Sequence, residues 1–298
     1  MSQGVLVFAR NNVEVDYVKQ AYFLAKQVKK HLNLPTTIIT DSGKYLRHEF
    51  NDYTTVFDNI IEIVWKESDL TKNTTLSKTE KHTYKRYHDG TLVEKKLEFK
   101  NETRTLAYDL TPYDETIVLD SDIIINNNLF KWCFEQPNDF LIYKNAYDLA
   151  GFRDYSEFDN ISDTSVDFYW ATCIFFRKTD TNKIFFDLVQ HVQENWGHYK
   201  KVYQLNRVVY RNDHAFSIAI HIMNGFIPGR EFAKEMPGKL YYSTDKDILF
   251  KIEDNEFLFL LEKEKYLGEY TPMKFKNHNI HVMNKFSLNR CIDEVLNV

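Results

Sequence analysis

Thr116-Ile117-Val118-Leu119-Asp120-Ser121-Asp122 sets four residues of buried-strand type directly before two carboxylates separated by one serine. An unbroken apolar run of this kind predicts a strand covered on both faces, as parallel strands are. Acids at its exit concentrate negative charge where an open α/β sheet forms its ligand crevice, beyond the carboxyl ends of the strands. At spacing i, i+2 the two side chains lie on one side of an extended chain and can face one ligand together. Hard divalent cations prefer oxygen ligands, and Mg²⁺ or Mn²⁺ is typically held by one or two carboxylates plus substrate phosphates. Taken alone, such a tripeptide is usually a solvated strand exit, so its weight depends on the rest of the chain.

Working outward, residues 4–9 predict a first strand, Arg10-Asn11-Asn12 the loop after it, and 15–32 a helix. Val18, Ala21, Ala25, Val28 and Leu32 recur there on one face at 3.6-residue spacing. Residues 36–40 predict a second strand with Asp41-Ser42-Gly43 as its exit, and 60–65 a third. This β-α-β opening is that of a parallel sheet, and the absence of GxGxxG argues against a dinucleotide dehydrogenase. Downstream, 104–110 predict a short helix and 140–144 and 168–177 further strands. Thr179 caps a helix whose Ile184, Phe185, Leu188, Val192 and Trp196 face inward. Asn212-Asp213 opens another helix, with Gly225 past its end. From Gly229 onward the pattern is short strands and turns, ending in Asn279-Ile280-His281-Val282-Met283-Asn284-Lys285.

Residues 66–101 break the pattern. Asp89-Gly90 between alternating runs predicts a hairpin leaving the core, carrying Lys78, Lys81, Lys85, Arg86, Lys95 and Lys96 beside Tyr84 and Tyr87. Such a ribbon is a solvated face or a contact for a polyanion, DNA among them. The chain's net charge of −5 argues against a protein that coats nucleic acid generally, leaving only a local patch for that purpose. Its 23 Phe, 19 Tyr and 4 Trp support a large core and leave tyrosine faces available for rings. Three dispersed cysteines, Cys133, Cys173 and Cys291, suggest neither a disulfide framework nor a CxxC metal site, which fits a reducing compartment. No stretch approaches the ~20 apolar residues of a membrane span and no signal peptide is evident, so the expectation is a cytoplasmic protein without a membrane anchor.

The segment from Arg104 through Leu110-Thr111-Pro112-Tyr113 to Asp120-Ser121-Asp122 resembles the DXD-bearing segment of GT-A glycosyltransferases, in particular the glycogenin and lipopolysaccharide galactosyltransferase group. Other pieces fall in family order. Ala9-Arg10-Asn11-Asn12 with Tyr17 looks like the loop that binds base and ribose, and residues 168–177 look like the strand beginning with an Asn-x-Gly turn, here Ala171-Thr172-Cys173. Asn212-Asp213 is similar to an acidic helix start. His281 with Asn284-Lys285 is similar to the C-terminal region that supplies the last metal ligand and a phosphate contact, one residue shorter and with Asn284 for glycine.

The resemblance implies one α/β domain over 1–298 of GT-A type. It has a mostly parallel mixed sheet flanked by helices, a hairpin insertion at 66–101 and a strand-rich part, 229–298, closing the site. It implies Mn²⁺ (or Mg²⁺) on Asp120, Asp122 and His281, and a nucleotide-diphosphate sugar, a UDP-sugar, held by Ala9, Arg10, Asn11, Asn12, Tyr17, Asp41, Arg104, Ser121 and Lys285. A cation there neutralises a diphosphate leaving group as a Lewis acid, and fixed charge at Arg104 and Lys285 acts on the same phosphates. Asp213 and Asp167, with Asp163, are candidates for activating or positioning an acceptor hydroxyl. Each residue also has an ordinary structural role: His281 as a strand histidine, Tyr17 in the core, Arg104 in a salt bridge, Asp41 in a turn, Asp213 at a helix start. The acceptor stays open among a glycan or glycolipid, a protein side chain and hydroxymethylated cytosine in DNA. The opening Phe8-Ala9-Arg10-Asn11-Asn12 and the Lys- and Asn-rich composition resemble tailed-phage (T-even-type) reading frames, for which DNA and the host cytoplasm would be the setting. A sugar-1-phosphate nucleotidyltransferase is the rival enzyme, although the Gly-rich phosphate turn of such enzymes is missing from the first loop. A catalytically silent binding module is the third reading, for which the intact acid pair is awkward.

Overall fold

The computed structural model describes residues 1–48, 53–63, 83–88, 94–99, 102–151, 158–162, 166–205, 210–229, 231–244, 246–253, 256–264 and 268–296, with backbone alone for 83–88, 94–99 and 102. In chain order the strands are β1 (Gln3–Phe8), β2 (Thr36–Thr40), β3 (Asn59–Glu62), β4 (Thr83–His88), β5 (Glu94–Phe99), β6 (Glu115–Asp120), β7 (Ile123–Ile124), β8 (Phe140–Tyr143) and β9 (Ala146–Asp148). They continue as β10 (Trp170–Arg177), β11 (Lys234–Glu235), β12 (Leu240–Ser243), β13 (Leu249–Glu253), β14 (Glu256–Glu262), β15 (Tyr270–Lys276) and β16 (Ile280–Val282).

Seven of these form the central sheet, in the order β11-β8-β10-β6-β1-β2-β3. Strands β6, β1, β2 and β3 run parallel, β10 is antiparallel to both β6 and β8, and β11 is parallel to β8. The architecture is mixed α/β, a mostly parallel sheet flanked by helices. Val5, Leu6, Val7, Ile117, Val118 and Leu119 are fully buried. Burying each such side chain is worth roughly 1.5–3 kcal/mol, so β1 and β6 form a stiff frame. Phe8 pairs with Asp120 on one side and Ile39 on the other, and by this register β6, β1 and β2 end together. Arg10, Asp41 and the acid pair therefore leave the sheet at one edge.

A four-stranded sheet, β7-β16-β12-β9, sits beyond that edge. Its β7 follows β6 directly, and His281 pairs with Ile123 across the antiparallel β16–β7 ladder. Strands β13, β14 and β15 make a third sheet whose Phe257 and Phe259 pack in a second core with Ile280, Val282, Leu288 and Ile292.

Several expectations are corrected. The first helix spans Tyr17–Gln27, because Asp16 is its N-cap and accepts from the Lys19 amide at 2.9 Å. Its last turn, Val28–Leu32, is π-helical and closes from the Asn33 amide to the Val28 carbonyl at 3.0 Å. The helix Asp180–Glu194 buries Phe185, Phe186, Val189 and Val192, while Ile184 is 60% exposed and Trp196 begins the next helix. A C-terminal helix, Lys285–Leu296, follows where only strands and turns were expected. The hairpin exists as backbone pairing of β4 with β5, from Thr83 opposite Phe99 to His88 opposite Glu94, and Asp89-Gly90, where the turn was expected, lies outside the described residues. Lys78, Lys81 and Asp163 lie outside the described residues. No described helix is long and apolar enough to cross a membrane.

Candidate functional site

Asp120 is the last residue of β6, and Ser121-Asp122 turns the chain into β7. The acids thus converge through a turn rather than through the pleat of one extended strand. Val282 donates its amide to the Asp122 carbonyl at 3.0 Å, locking β16 against this turn. That bond and the His281–Ile123 pairing hold the imidazole Nε2 at 3.1 Å from Asp122 Oδ2. One ligand atom from each of Asp120, Asp122 and His281 lies within 4.8 Å of the others, the one such cluster of metal-ligating side chains among the described residues. Two carboxylates and one imidazole are an oxygen-rich, hard donor set with a single borderline ligand, which suits Mn²⁺ and accommodates Mg²⁺. Asp122 and His281 are buried and Asp120 is half-buried, so one side of the cluster stays open to a ligand.

Two cations back this cluster. Arg104, 1% exposed, donates one guanidinium arm to Asp120 Oδ1 and another to the Ala171 carbonyl. Lys285, equally buried, places its ammonium on Asp122 Oδ2 and donates to the Val282 carbonyl at 3.3 Å. Lys285 is the first residue of the C-terminal helix. Asn284 precedes it and caps that helix, its Oδ1 accepting from the Ser287 amide at 2.9 Å. Gln20 ties the same helix to Tyr17–Gln27 through Asn289 Oδ1 at 2.8 Å.

The first loop is internally braced. Arg10 Nε donates to Asp41 Oδ2 at 2.9 Å across the ends of β1 and β2. Asn11 bridges the Val18 amide at 2.9 Å and Asp16 at 3.0 Å, while Asn12 Oδ1 accepts from the amides of Glu14 and Val15 at 2.9 and 2.7 Å. The Ala9 amide is bonded to Ile39, and Tyr17 is only 8% exposed, packed in the main core. Ser121 is buried in the turn between the acids. The structure therefore gathers Arg10, Asp41, Asp120, Ser121, Asp122, Arg104, His281 and Lys285 at one edge. The Asn12 side chain accepts from backbone amides of its own loop, and the Asn11 side chain binds the Asp16 carboxylate and the Val18 amide at the start of the following helix.

Asp213 sits in the first turn of the helix Asn212–Met223; its Oδ1 accepts from the Ala171 amide at 3.0 Å and its Oδ2 pairs with Arg211 at 3.0 Å. Since Ala171 also accepts from Arg104, a bonded chain runs Asp213, Ala171, Arg104, Asp120. Ala171-Thr172-Cys173 falls where the β10–β8 ladder shifts register between Trp170 and Ile174. Irregularities of this kind re-aim side chains beside sites. Asp167 is elsewhere, paired with Lys144 at 2.7 Å. That lysine, with Tyr147, Phe158, Asp159, Trp170 and Tyr242, lines a cavity of about 240 Å³. It adjoins the cluster, because Tyr242 pairs with His281 along β12–β16 and Trp170 precedes Ala171. Lys144, Arg211 and Tyr242 were not singled out from the sequence, and no spacing there marks them. His214, buried beside Trp196 and Phe168, has its pKa pulled down to about 4, by desolvation first and then by Arg211.

No protein-family model matches this sequence, and no curated protein matches it. Among solved structures, the glycosyltransferase GlyE of Streptococcus pneumoniae TIGR4 shares 10% identity with a TM-score of 0.43, over 79% of this chain and 45% of that one. The galactosyltransferase LgtC, in complex with donor and acceptor sugar analogues, shares 12% identity with a TM-score of 0.40, over 78% of this chain and 72% of that one. The bifunctional glycosyltransferase WbbM gives 14% identity and a TM-score of 0.38, over 64% and 34%. The chain spans less than half the length of GlyE and about a third of WbbM. Likenesses at this level assign neither residues nor substrates to it.

Proposed function

We propose that this protein is a metal-dependent GT-A-type glycosyltransferase that moves a sugar from a nucleotide-diphosphate donor to an acceptor hydroxyl. The observation that carries this reading is the Asp120–Asp122–His281 cluster at the shared carboxyl edge of β6, β1 and β2. In an open parallel sheet this edge is where nucleotide ligands bind. Asp120, Asp122 and His281 are the residues that would hold the ion, Mn²⁺ in preference to Mg²⁺. When bound, that ion supplies Lewis-acid neutralisation of the charge developing on the diphosphate.

The chain's own residues do the rest. Arg104 fixes Asp120 by gripping it against the Ala171 carbonyl, which makes Arg104 a positioning residue. Arg10 and Asp41, at the ends of β1 and β2, face the space for ribose and base of a UDP-sugar, with the loop 9–12 and Tyr17 behind them. Each of Asp213 and Asp167 is paired with a cation, Arg211 and Lys144, and Asp213 is preferred as the acid beside the transferred sugar because the bonded chain through Ala171 and Arg104 links it to Asp120. The acceptor is a sugar hydroxyl or the hydroxymethyl group of cytosine in DNA. The DNA case goes with the basic residues of 78–96, a phage-encoded chain and the host cytoplasm.

Incubation with a panel of sugar nucleotides and Mn²⁺ tests the reading. Release of nucleoside diphosphate, lost in Asp122→Ala, is the expected result. Pyrophosphate release from a nucleoside triphosphate would instead indicate a nucleotidyltransferase. Including hydroxymethylcytosine DNA and oligosaccharides as acceptors, with mass spectrometry of the products, separates the two acceptor classes.

A further inference from the structure

Asp122 Oδ2 carries two partners at once, the His281 Nε2 at 3.1 Å and the Lys285 ammonium. All three side chains are almost sealed from water, at 6%, 6% and 2% exposed. Asp120 and Asp122 are thus each matched to an internal cation, but the two matches differ in kind. Arg104 forks between Asp120 and a backbone carbonyl of β10, behind the cluster, and its planar guanidinium is fixed in that grip. Lys285 sits inside the cluster, on the same carboxylate oxygen that faces the imidazole. A lysine ammonium is a compact point charge on a flexible stem.

We infer that Lys285 is a built-in counter-ion that competes with the divalent cation for Asp122. The inference rests on the proposed reading of Asp120, Asp122 and His281 as a cation site. A cation held by Asp122 would share that carboxylate with the Lys285 ammonium, and two positive charges on one buried carboxylate repel strongly. Lys285 must therefore leave Asp122 before the site is loaded. The helix that carries it cannot follow, because Asn284 caps it and Gln20 holds it through Asn289. The motion is a side-chain swing, and the Val282 carbonyl, 3.3 Å from the ammonium, is an acceptor that stays in place. Before an ion binds, Lys285 balances the charge of Asp122 in this way, at the cost of weaker binding of free metal ions.

Isothermal titration of Mn²⁺ into wild-type protein, Lys285→Met and Lys285→Arg, with no donor present, tests this. Lys285→Met is expected to bind at least tenfold more tightly than wild type, and Lys285→Arg to stay within about threefold of it. Unchanged or weaker binding by Lys285→Met overturns the counter-ion role and leaves the cation site standing. No binding of Mn²⁺ by any of the three proteins at millimolar concentration overturns the cation site itself. Should Lys285→Met not fold, the wild type alone decides the matter. The ¹⁵Nζ resonance of Lys285, followed while Mg²⁺ is added, is expected to shift as the ammonium exchanges partner. A resonance that does not move while the ion binds overturns the inference.

Discussion

Arg104 ties two elements of the candidate site together through one side chain. Its guanidinium joins Asp120 to the Ala171 carbonyl at 1% exposure, so removing it takes a cation from the one and a donor from the other. Breaking one side of a buried charge pair costs about 3–5 kcal/mol, less where one partner keeps contact with water. Asp120 is 22% exposed, so Arg104→Met is expected to lose about 2–4 kcal/mol in urea unfolding. Arg104→Lys is expected to recover little, since a compact ammonium lacks the rigid planar fork with which the guanidinium spans Asp120 and the Ala171 carbonyl. A full recovery by lysine would show that charge alone matters there. On the proposed reading, Asp122→Ala is expected to lower Mn²⁺-dependent sugar-nucleotide turnover by at least about 100-fold, because a Lewis-acid site that loses a first ligand loses several kcal/mol of transition-state stabilisation. Steady-state turnover at saturating Mn²⁺ checks it.

Among the elements, the C-terminal helix joins the site to the second core. Asn284, fully buried, caps it while Leu288, Cys291 and Ile292 pack against Ile280 and Val282. Asn284→Ala is expected to cost about 1 kcal/mol in thermal unfolding, the usual worth of an N-cap side chain, with larger losses where the cap is buried. The same residues explain what the sequence leaves unseen. The helix had a signal, a cap-type Asn284 followed by apolar residues at 288, 291, 292 and 296, but it starts directly after a short strand and its first turn carries a lysine. Strand β6 and the pairing of its acids are legible because an apolar run and its exit are contiguous. His281 is 159 residues from Asp122, and nothing local in its strand marks it; only an ordered resemblance along the whole chain points there. The partner of Arg104 is likewise a tertiary fact, as is the rotation of Asp180–Glu194 that exposes Ile184. There adjacent Phe185 and Phe186 both bury, and the bulkier pair sets the face.

At the scale of the whole molecule, two linkages arise from groups that the fold has placed. On the proposed reading, an ion held by the Asp120–Asp122–His281 cluster would stabilise the native chain by mass action, about 2.7 kcal/mol at an ion concentration a hundredfold above its Kd. The melting temperature is therefore expected to rise with Mn²⁺ and return with chelator, and not to respond in Asp122→Ala. His214 supplies the second linkage. It is buried against Trp196, its pKa is lowered from 6.5 to about 4, and desolvation is the larger cause. A neutral histidine in the fold that takes a proton when unfolded contributes stability that is complete above about pH 6.5. That contribution is lost as pH falls toward 4, since the unfolded chain binds the extra proton across this window. The depression corresponds to about 3 kcal/mol in all, comparable to a third of the stability of an ordinary domain. Urea unfolding between pH 7 and 4.5 is expected to show stability falling with pH in wild type and falling less steeply in His214→Gln, a neutral side chain of similar polarity. Equal slopes in the two proteins would assign the acid sensitivity to the carboxylates instead.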